Sequence, residues 1–182
     1  MHIVDIVIFL GWAAFWIYWL AMSTGAKAGS THWGRFAGVR VAIILLVLLL
    51  LRIKAFKEHS VTDSPLLQGI GLAIWVLGLA LAVWARVYLG RNWGMPMSHK
   101  ADPELVTSGP YHKIRHPIYT GIILAMVGTT IAVSLYWLVA VFVIGAYFIY
   151  SAVVEERNMT QLFPDTYPAY KQSTKMLIPF IL

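Results

Sequence analysis

Apolar residues in this chain do not alternate with polar ones; they run together in long blocks. A helix needs about 17–25 mainly apolar residues to cross a bilayer, and five blocks qualify: roughly 3–22, 38–56, 66–89, 117–133 and 136–154. The second holds an unbroken apolar run from Val41 to Leu51. The third opens at Pro65 behind Thr62-Asp63-Ser64, and proline suits a first helical turn. Gly69, Gly71 and Gly78 in the third block, Gly121 and Gly128 in the fourth, and Gly34-x-x-x-Gly38 predict close helix packing, within or between chains. Gly69-x-Gly71 follows no strand, so it is not a dinucleotide fingerprint. Trp12, Trp16 and Trp19 stand at near-helical spacing and predict a lipid-facing or interfacial stripe. The pattern as a whole predicts an all-α, polytopic integral membrane protein with five transmembrane helices, the last two forming a hairpin.

Composition agrees. Of 182 residues, 59% are hydrophobic and 12% charged, against about 45–50% and about 25% in a soluble domain. One globular core cannot hide that much apolar surface, so lipid must cover it. Cysteine is absent, which excludes disulfides, thiolate metal sites and a cysteine nucleophile. The formal charge of +6 does not point to nucleic acid, because the basic residues flank apolar blocks, where they meet lipid headgroups. With the N-terminus outside, eleven basic residues fall on the inner side and only Arg52, Lys54 and Lys57 on the outer. That bias places the C-terminus in the cytoplasm. The membrane is then the inner one in a prokaryote or the endoplasmic reticulum in a eukaryote. The N-terminus carries His2 and Asp5 and no basic region, so the first block reads as a retained span rather than a cleaved signal.

Two inner segments carry nearly all the chemistry: residues 90–116 and the tail from Glu155 onward. They divide the chain into N-terminal helices, 1–89, and a core of loop, last two spans and tail, 90–182. In the first segment Gly109-Pro110 marks a turn, with Ser108 as cap of a short helix. His116 precedes a proline and is biased away from helical geometry, so Pro117 starts the fourth span. Counting equal numbers of residues from a hairpin turn near residue 135 puts Pro117 level with Glu155. Arg115, His116 and Tyr119 should therefore meet Glu155 and Glu156 at the inner surface. Ionisable side chains at that depth are costly and mark a functional site, here one suited to a small zwitterion or a lipid headgroup. His112 and His116, with His99, fall short of a metal cluster, and Pro117 breaks the helix that would align them. No metal is expected.

At these residues the chain resembles the isoprenylcysteine carboxyl methyltransferase family, within the wider group that includes phospholipid N-methyltransferases. The matching pieces are Leu89-Gly-x-Asn-Trp93, Leu105-Val-Thr-Ser-Gly-Pro-Tyr111, Arg115-His-Pro-Ile-Tyr119, Glu155-Glu156, Phe163-x-Asp-x-Tyr167 and Tyr170-Lys171. The resemblance implies S-adenosylmethionine as cofactor, held by Glu104, Leu105, Val106, Tyr111, His116, Pro117, Ile118, Tyr119 and Glu155, with a further contact near Met97 to His99. It implies methyl transfer to a lipophilic acceptor entering from the bilayer, with Asn92, Trp93 and Ser151 on the acceptor side. Arg115 would hold a carboxylate acceptor; for an amine or thiol, Glu156 or His116 would take the proton.

One position departs from the pattern. Prenylcysteine-modifying members place an arginine one helical turn before the glutamate, and here that position is Ser151. Two other readings stay open: an NADPH-dependent membrane reductase of the isoprenoid or sterol type, and a non-catalytic accessory membrane protein.

Overall fold

The computed structural model describes residues 3–23, 62–93 and 104–178. The expected span at about 38–56, the Gly34-x-x-x-Gly38 motif and the Met97–His99 stretch lie outside them. The described residues form helices α1 (Ile3–Ser23), α2 (Pro65–Leu89), α3 (Pro117–Ala132), α4 (Leu138–Leu162) and α5 (Tyr167–Ser173), with short 3-10 turns between. Among these residues the only extended pairing is an isolated parallel bridge between Ile114 and Lys175. Three segments, Ile3–Met22, Pro65–Asn92 and Leu135–Leu162, are long and apolar enough to cross a membrane. The fourth expected span is shorter: α3 has 16 residues, about 24 Å at about 1.5 Å per residue.

Local chemistry sets the helix ends. Ser64 caps α2 by accepting from the Leu67 amide, with Pro65 in the first turn. The helix ends where Gly90, at φ 53°, sends its amide back to the Arg86 carbonyl. Pro117 starts α3 directly after His116. In the turn to α4, the Ser134 hydroxyl accepts from the Tyr136 amide.

The closest packing is between α2 and α3, not within the α3–α4 hairpin. Glycines two turns apart on each helix let the antiparallel backbones touch. A Cβ on Gly78 would lie 2.4 Å from the Ala125 nitrogen, and one on Gly128 2.4 Å from that of Trp75. Gly71 and Gly121 are hemmed in likewise by Ala132 and Ala82. Lipid offers helices no hydrophobic drive to associate, so small residues that permit van der Waals contact carry the interface. Gly69, by contrast, has nothing within 4 Å of its missing Cβ. The 89/90 division therefore separates two helices that share one interface.

Helix α1 lies along α2, with Gly11 against the Trp75 ring and the Trp12 indole donating to Thr129 Oγ1 at 3.0 Å. The tryptophan stripe divides accordingly. Trp16 is exposed, while Trp19 is buried and meets Trp93 edge-on at 5.8 Å. Ile8 and Phe15 are likewise buried, whereas Phe9, Leu10, Ile17 and Leu20 face outward, as a lipid-facing surface does.

Replacing Gly78 by alanine should destabilise the protein by about 1–3 kcal/mol, as over-packing does. Gly69→Ala should be neutral or stabilising, because alanine favours helix and meets no neighbour. Thermal midpoints of the two variants in detergent check this contrast.

Candidate functional site

The segment before α3 and the tail after α4 are sewn together by backbone. The Arg115 amide donates to the Lys175 carbonyl at 2.8 Å, the His116 amide to Met176 at 3.0 Å, and Lys175 back to Lys113 at 3.1 Å. Thr120 Oγ1 donates to the Leu177 carbonyl at 2.6 Å, and the Tyr170 hydroxyl to the Tyr111 carbonyl at 2.6 Å. Burial pushes the Tyr170 hydroxyl up to about 12, so it stays a donor at any working pH. Gly109 has φ 59°, and a Cβ there would also strike the Tyr88 ring. The following 3-10 turn is closed by the Tyr111 amide on the Ser108 carbonyl at 3.2 Å. The Ser108 side chain, expected as its cap, makes no such bond.

This lacing brings together the residues that hairpin counting aligns. Arg115 Nε donates to Glu156 Oε1 at 2.6 Å, and Lys171 Nζ lies 2.8 Å from Glu156 Oε2. The side chains of Arg115 and Glu156 are 7% and 2% exposed. Arg115 Nη1 reaches the carbonyls of Lys171, at 3.1 Å, and Thr174, at 2.5 Å. A buried carboxylate costs several kcal/mol unless it is paired and hydrogen-bonded, and both oxygens of Glu156 are so matched. Arg115 thereby joins α3, α4 and the tail at one point.

Glu155 faces differently, with 26% of its side chain exposed. It accepts from the Tyr119 hydroxyl at 2.6 Å and lies 3.5 Å from His116 Nδ1. His116 Nε2 is 3.6 Å from Glu156 Oε1, beyond hydrogen-bond reach, and is buried with no hydrogen-bond partner. Burial pulls the imidazole's pKa down, but the neighbouring carboxylates of Glu155 and Glu156 outweigh it, and the net shift is upward. The His116, Tyr119 and Phe148 rings stack in sequence, with centroids 5.4 Å and 4.5 Å apart and planes within 7° of parallel. Burial raises the Tyr111 hydroxyl pKa, so that tyrosine is neutral.

The other expected site residues lie around this cluster. Pro117 and Ile118 are buried in the first turn of α3. Leu105 and Val106 are half-buried in a stretch without regular secondary structure, Val106 against the cluster that includes Tyr111, Tyr119 and Phe148. Glu104 accepts from Asn92 Nδ2 at 2.9 Å, and Trp93 packs on Trp19. Ser151 is wholly buried and its hydroxyl donates to the Tyr147 carbonyl at 2.8 Å within its own helix. Among the described residues no group of three or more His, Asp or Glu is placed to hold a metal ion. Sequence reasoning gave Lys171 no role, although Tyr170-Lys171 is one of the matching pieces, and passed over Thr174 and Phe148. Phe148 lies two turns before Glu155 on α4, so helical periodicity held its signal, whereas the role of Thr174 rests on a backbone carbonyl that no sequence pattern displays.

Fold and site together define a helical membrane protein with an ionic site built where one helix enters and the next leaves. A family model described as phospholipid methyltransferase matches residues 67–166, more than half of the chain, and the chain belongs to that family. It is 27% identical over 143 residues, 77% of its length, to the nickel-cobalt-cadmium resistance protein NccN of Alcaligenes xylosoxydans xylosoxydans, covering 64% of that protein. It is 27% identical over 169 residues, 90% of its length, to the protein-S-isoprenylcysteine O-methyltransferase of Schizosaccharomyces pombe, covering 67% of it. Against methanethiol S-methyltransferase 1 of Bradyrhizobium diazoefficiens it is 37% identical over 78 residues, 43% of this chain and 27% of that one. The chain thus spans less than two thirds of the resistance protein and of the thiol methyltransferase.

Arg115→Met should lower stability by up to about 3–5 kcal/mol, the cost of stranding a buried charge, with Lys171 limiting the loss; thermal unfolding in detergent measures it. The charged His116 ring, with its pKa raised above 6.5, contributes stability that is full below pH 6.5. That contribution is lost as pH rises through the folded-state value. A plot of thermal midpoint against pH should fall across that window in the wild type and flatten there in His116→Gln.

Proposed function

We propose that this chain is an S-adenosylmethionine-dependent methyltransferase acting on a lipophilic acceptor that enters from the bilayer. The observation that carries this reading is Glu155: an accessible carboxylate at the membrane edge, fixed by a tyrosine and flanked by stacked aromatic rings. Methyltransferase names among the relatives and membership of the phospholipid methyltransferase family support it.

The residues fit the cofactor's chemistry. S-adenosylmethionine carries a sulfonium and an ammonium, a carboxylate and a purine riboside. Glu155 suits the cationic part, and the Tyr111 ring attracts a sulfonium by cation–π interaction, while Tyr119, stacked between His116 and Phe148, holds Glu155 through its hydroxyl. The free amides of the first turn of α3, at Ile118 and Tyr119 after Pro117, suit a carboxylate. The buried Nε2 of His116, with no hydrogen-bond partner, is a polar atom awaiting one. Glu104, Leu105 and Val106, outside any helix, offer backbone groups and a carboxylate for the remainder. Bound there, the cofactor supplies a methyl group activated by positive sulfur.

The chain's own part is placement and dehydration, which an in-line methyl displacement requires above all. Tyr119 and His116 hold the Glu155 carboxylate in one orientation. Arg115, Glu156 and Lys171 hold the tail over the entrance of α3. In this reading Arg115 and Glu156 act by keeping the site assembled, since their charges are already engaged with one another. Isoprenylcysteine O-methylation, the activity named for the fission-yeast relative, is the model reaction, with one difference. Ser151 offers no cation for a carboxylate acceptor, and its hydroxyl is turned onto its own helix. The bias of basic residues supports a cytoplasmic position for this end of the bundle, with the C-terminus.

Saturating S-adenosylhomocysteine, the demethylated cofactor, should raise the thermal midpoint of the detergent-purified protein. Glu155→Ala should weaken that binding at least about tenfold, equivalent to about 1.4 kcal/mol. Equal affinity in the variant would remove Glu155 from the site. Stabilisation by NADPH in place of the cofactor product would replace the methyltransferase reading with a reductase.

A further inference from the structure

The most deeply buried cation among the described residues is Arg86, 2% exposed, in the last turn of α2. It pairs with no carboxylate among them. Instead Nη1 donates to the Gly90 carbonyl at 2.6 Å and Nη2 to the Met22 carbonyl at 2.7 Å. The guanidinium carbon sits 4.7 Å from the centroid of the Trp93 ring, and Nε is buried without a hydrogen-bond partner. A buried ion must be compensated, and the two carbonyls show how. Met22 lies in the last turn of α1, where carbonyls lack helical partners and the helix dipole is negative. That turn has no basic residue of its own. Gly90 is the corresponding end of α2. One arginine therefore serves the negative ends of two helices.

What the arginine fastens is the start of the 90–116 loop. Trp93 is held between the guanidinium and Trp19 of α1. Its neighbour Asn92 is buried, and from there Nδ2 holds Glu104 Oε2 at 2.9 Å. Contacts thus run unbroken from the end of α1 through Arg86 and the 90–93 turn to Glu104. The family match begins at residue 67, so α1 lies outside it, and Arg86 ties its end to the start of the loop.

We infer that Arg86 is a positioning residue for the cofactor site, fastening the end of α1 to the 90–93 turn and setting Glu104 through Asn92. The inference rests on the reading of Glu104 as a cofactor contact. It requires the arginine fork, because lysine presents a single ammonium and cannot reach two divergent carbonyls while covering an indole face.

The test uses the full-length protein in detergent, with S-adenosylhomocysteine affinity and ligand-free thermal midpoint measured separately. Arg86→Met and Asn92→Ala should each weaken binding about tenfold. The double variant should be no weaker than about the single ones, since both act through Glu104. Arg86→Lys should fall between Arg86→Met and wild type. Trp12→Phe, which cuts the bond of α1 to Thr129, should lower the midpoint and leave affinity unchanged. Wild-type affinity in Arg86→Met, or full additivity in the double variant, overturns the inference. Should Arg86→Met fail to fold, Arg86→Lys decides: weakened binding supports the role, and wild-type affinity overturns it. If the wild type itself binds no cofactor product, the proposed function fails. The tie is then judged on the ligand-free midpoints, where non-additive loss for Arg86→Lys with Asn92→Ala supports it and additive loss overturns it.

Discussion

A carboxylate with 2% of its side chain exposed, Glu156, is the point on which the site depends. Such a charge is tolerable only when its oxygens are matched, and the matches come from two other parts of the chain: Arg115 at the entrance of α3 and Lys171 in the tail. Satisfying one charge therefore draws three segments to one place. The adjacent Glu155 is then left facing outward from an assembled wall. Two successive glutamates on α4 do different work because consecutive helical positions point about 100° apart, one into the joint and one toward the opening.

Glycine on α2 and α3 decides how tightly that wall is backed. With backbones in contact at Gly71, Gly78, Gly121 and Gly128, the C-terminal end of α2 is pinned beside the start of α3. Arg86, Gly90 and the loop toward Glu104 are pinned with it. The hairpin of α3 and α4 is looser along its length and closes at its ends, through the 3-10 turn at 135–137 and through the Tyr119–Phe148 stack and the ionic joint. The shortness of α3, 16 residues, keeps its polar entrance close to the apolar body of the bundle.

The blocks of apolar residues determined by themselves that the chain is helical and lipid-embedded, because no alternative covers so much apolar surface. Pro65 and Pro117 also read correctly as helix starts, since their effects are local to one turn, whereas the cap expected at Ser108 does not form. Even the meeting of Arg115, His116 and Tyr119 with Glu155 and Glu156 followed from counting, because a short turn between antiparallel helices leaves little freedom of register. Tertiary structure alone decided which partner each charge took. Whether Arg115 held a ligand or a buried glutamate depended on the tail returning to residues 113–116 through backbone hydrogen bonds, which any side chains permit and no motif announces. The same holds for Trp19 and Arg86. A tryptophan near the end of a span is at home in either lipid or protein, and an arginine near a helix terminus suits headgroups as well as carbonyls. Only the placement of α1 against α2 chose between them.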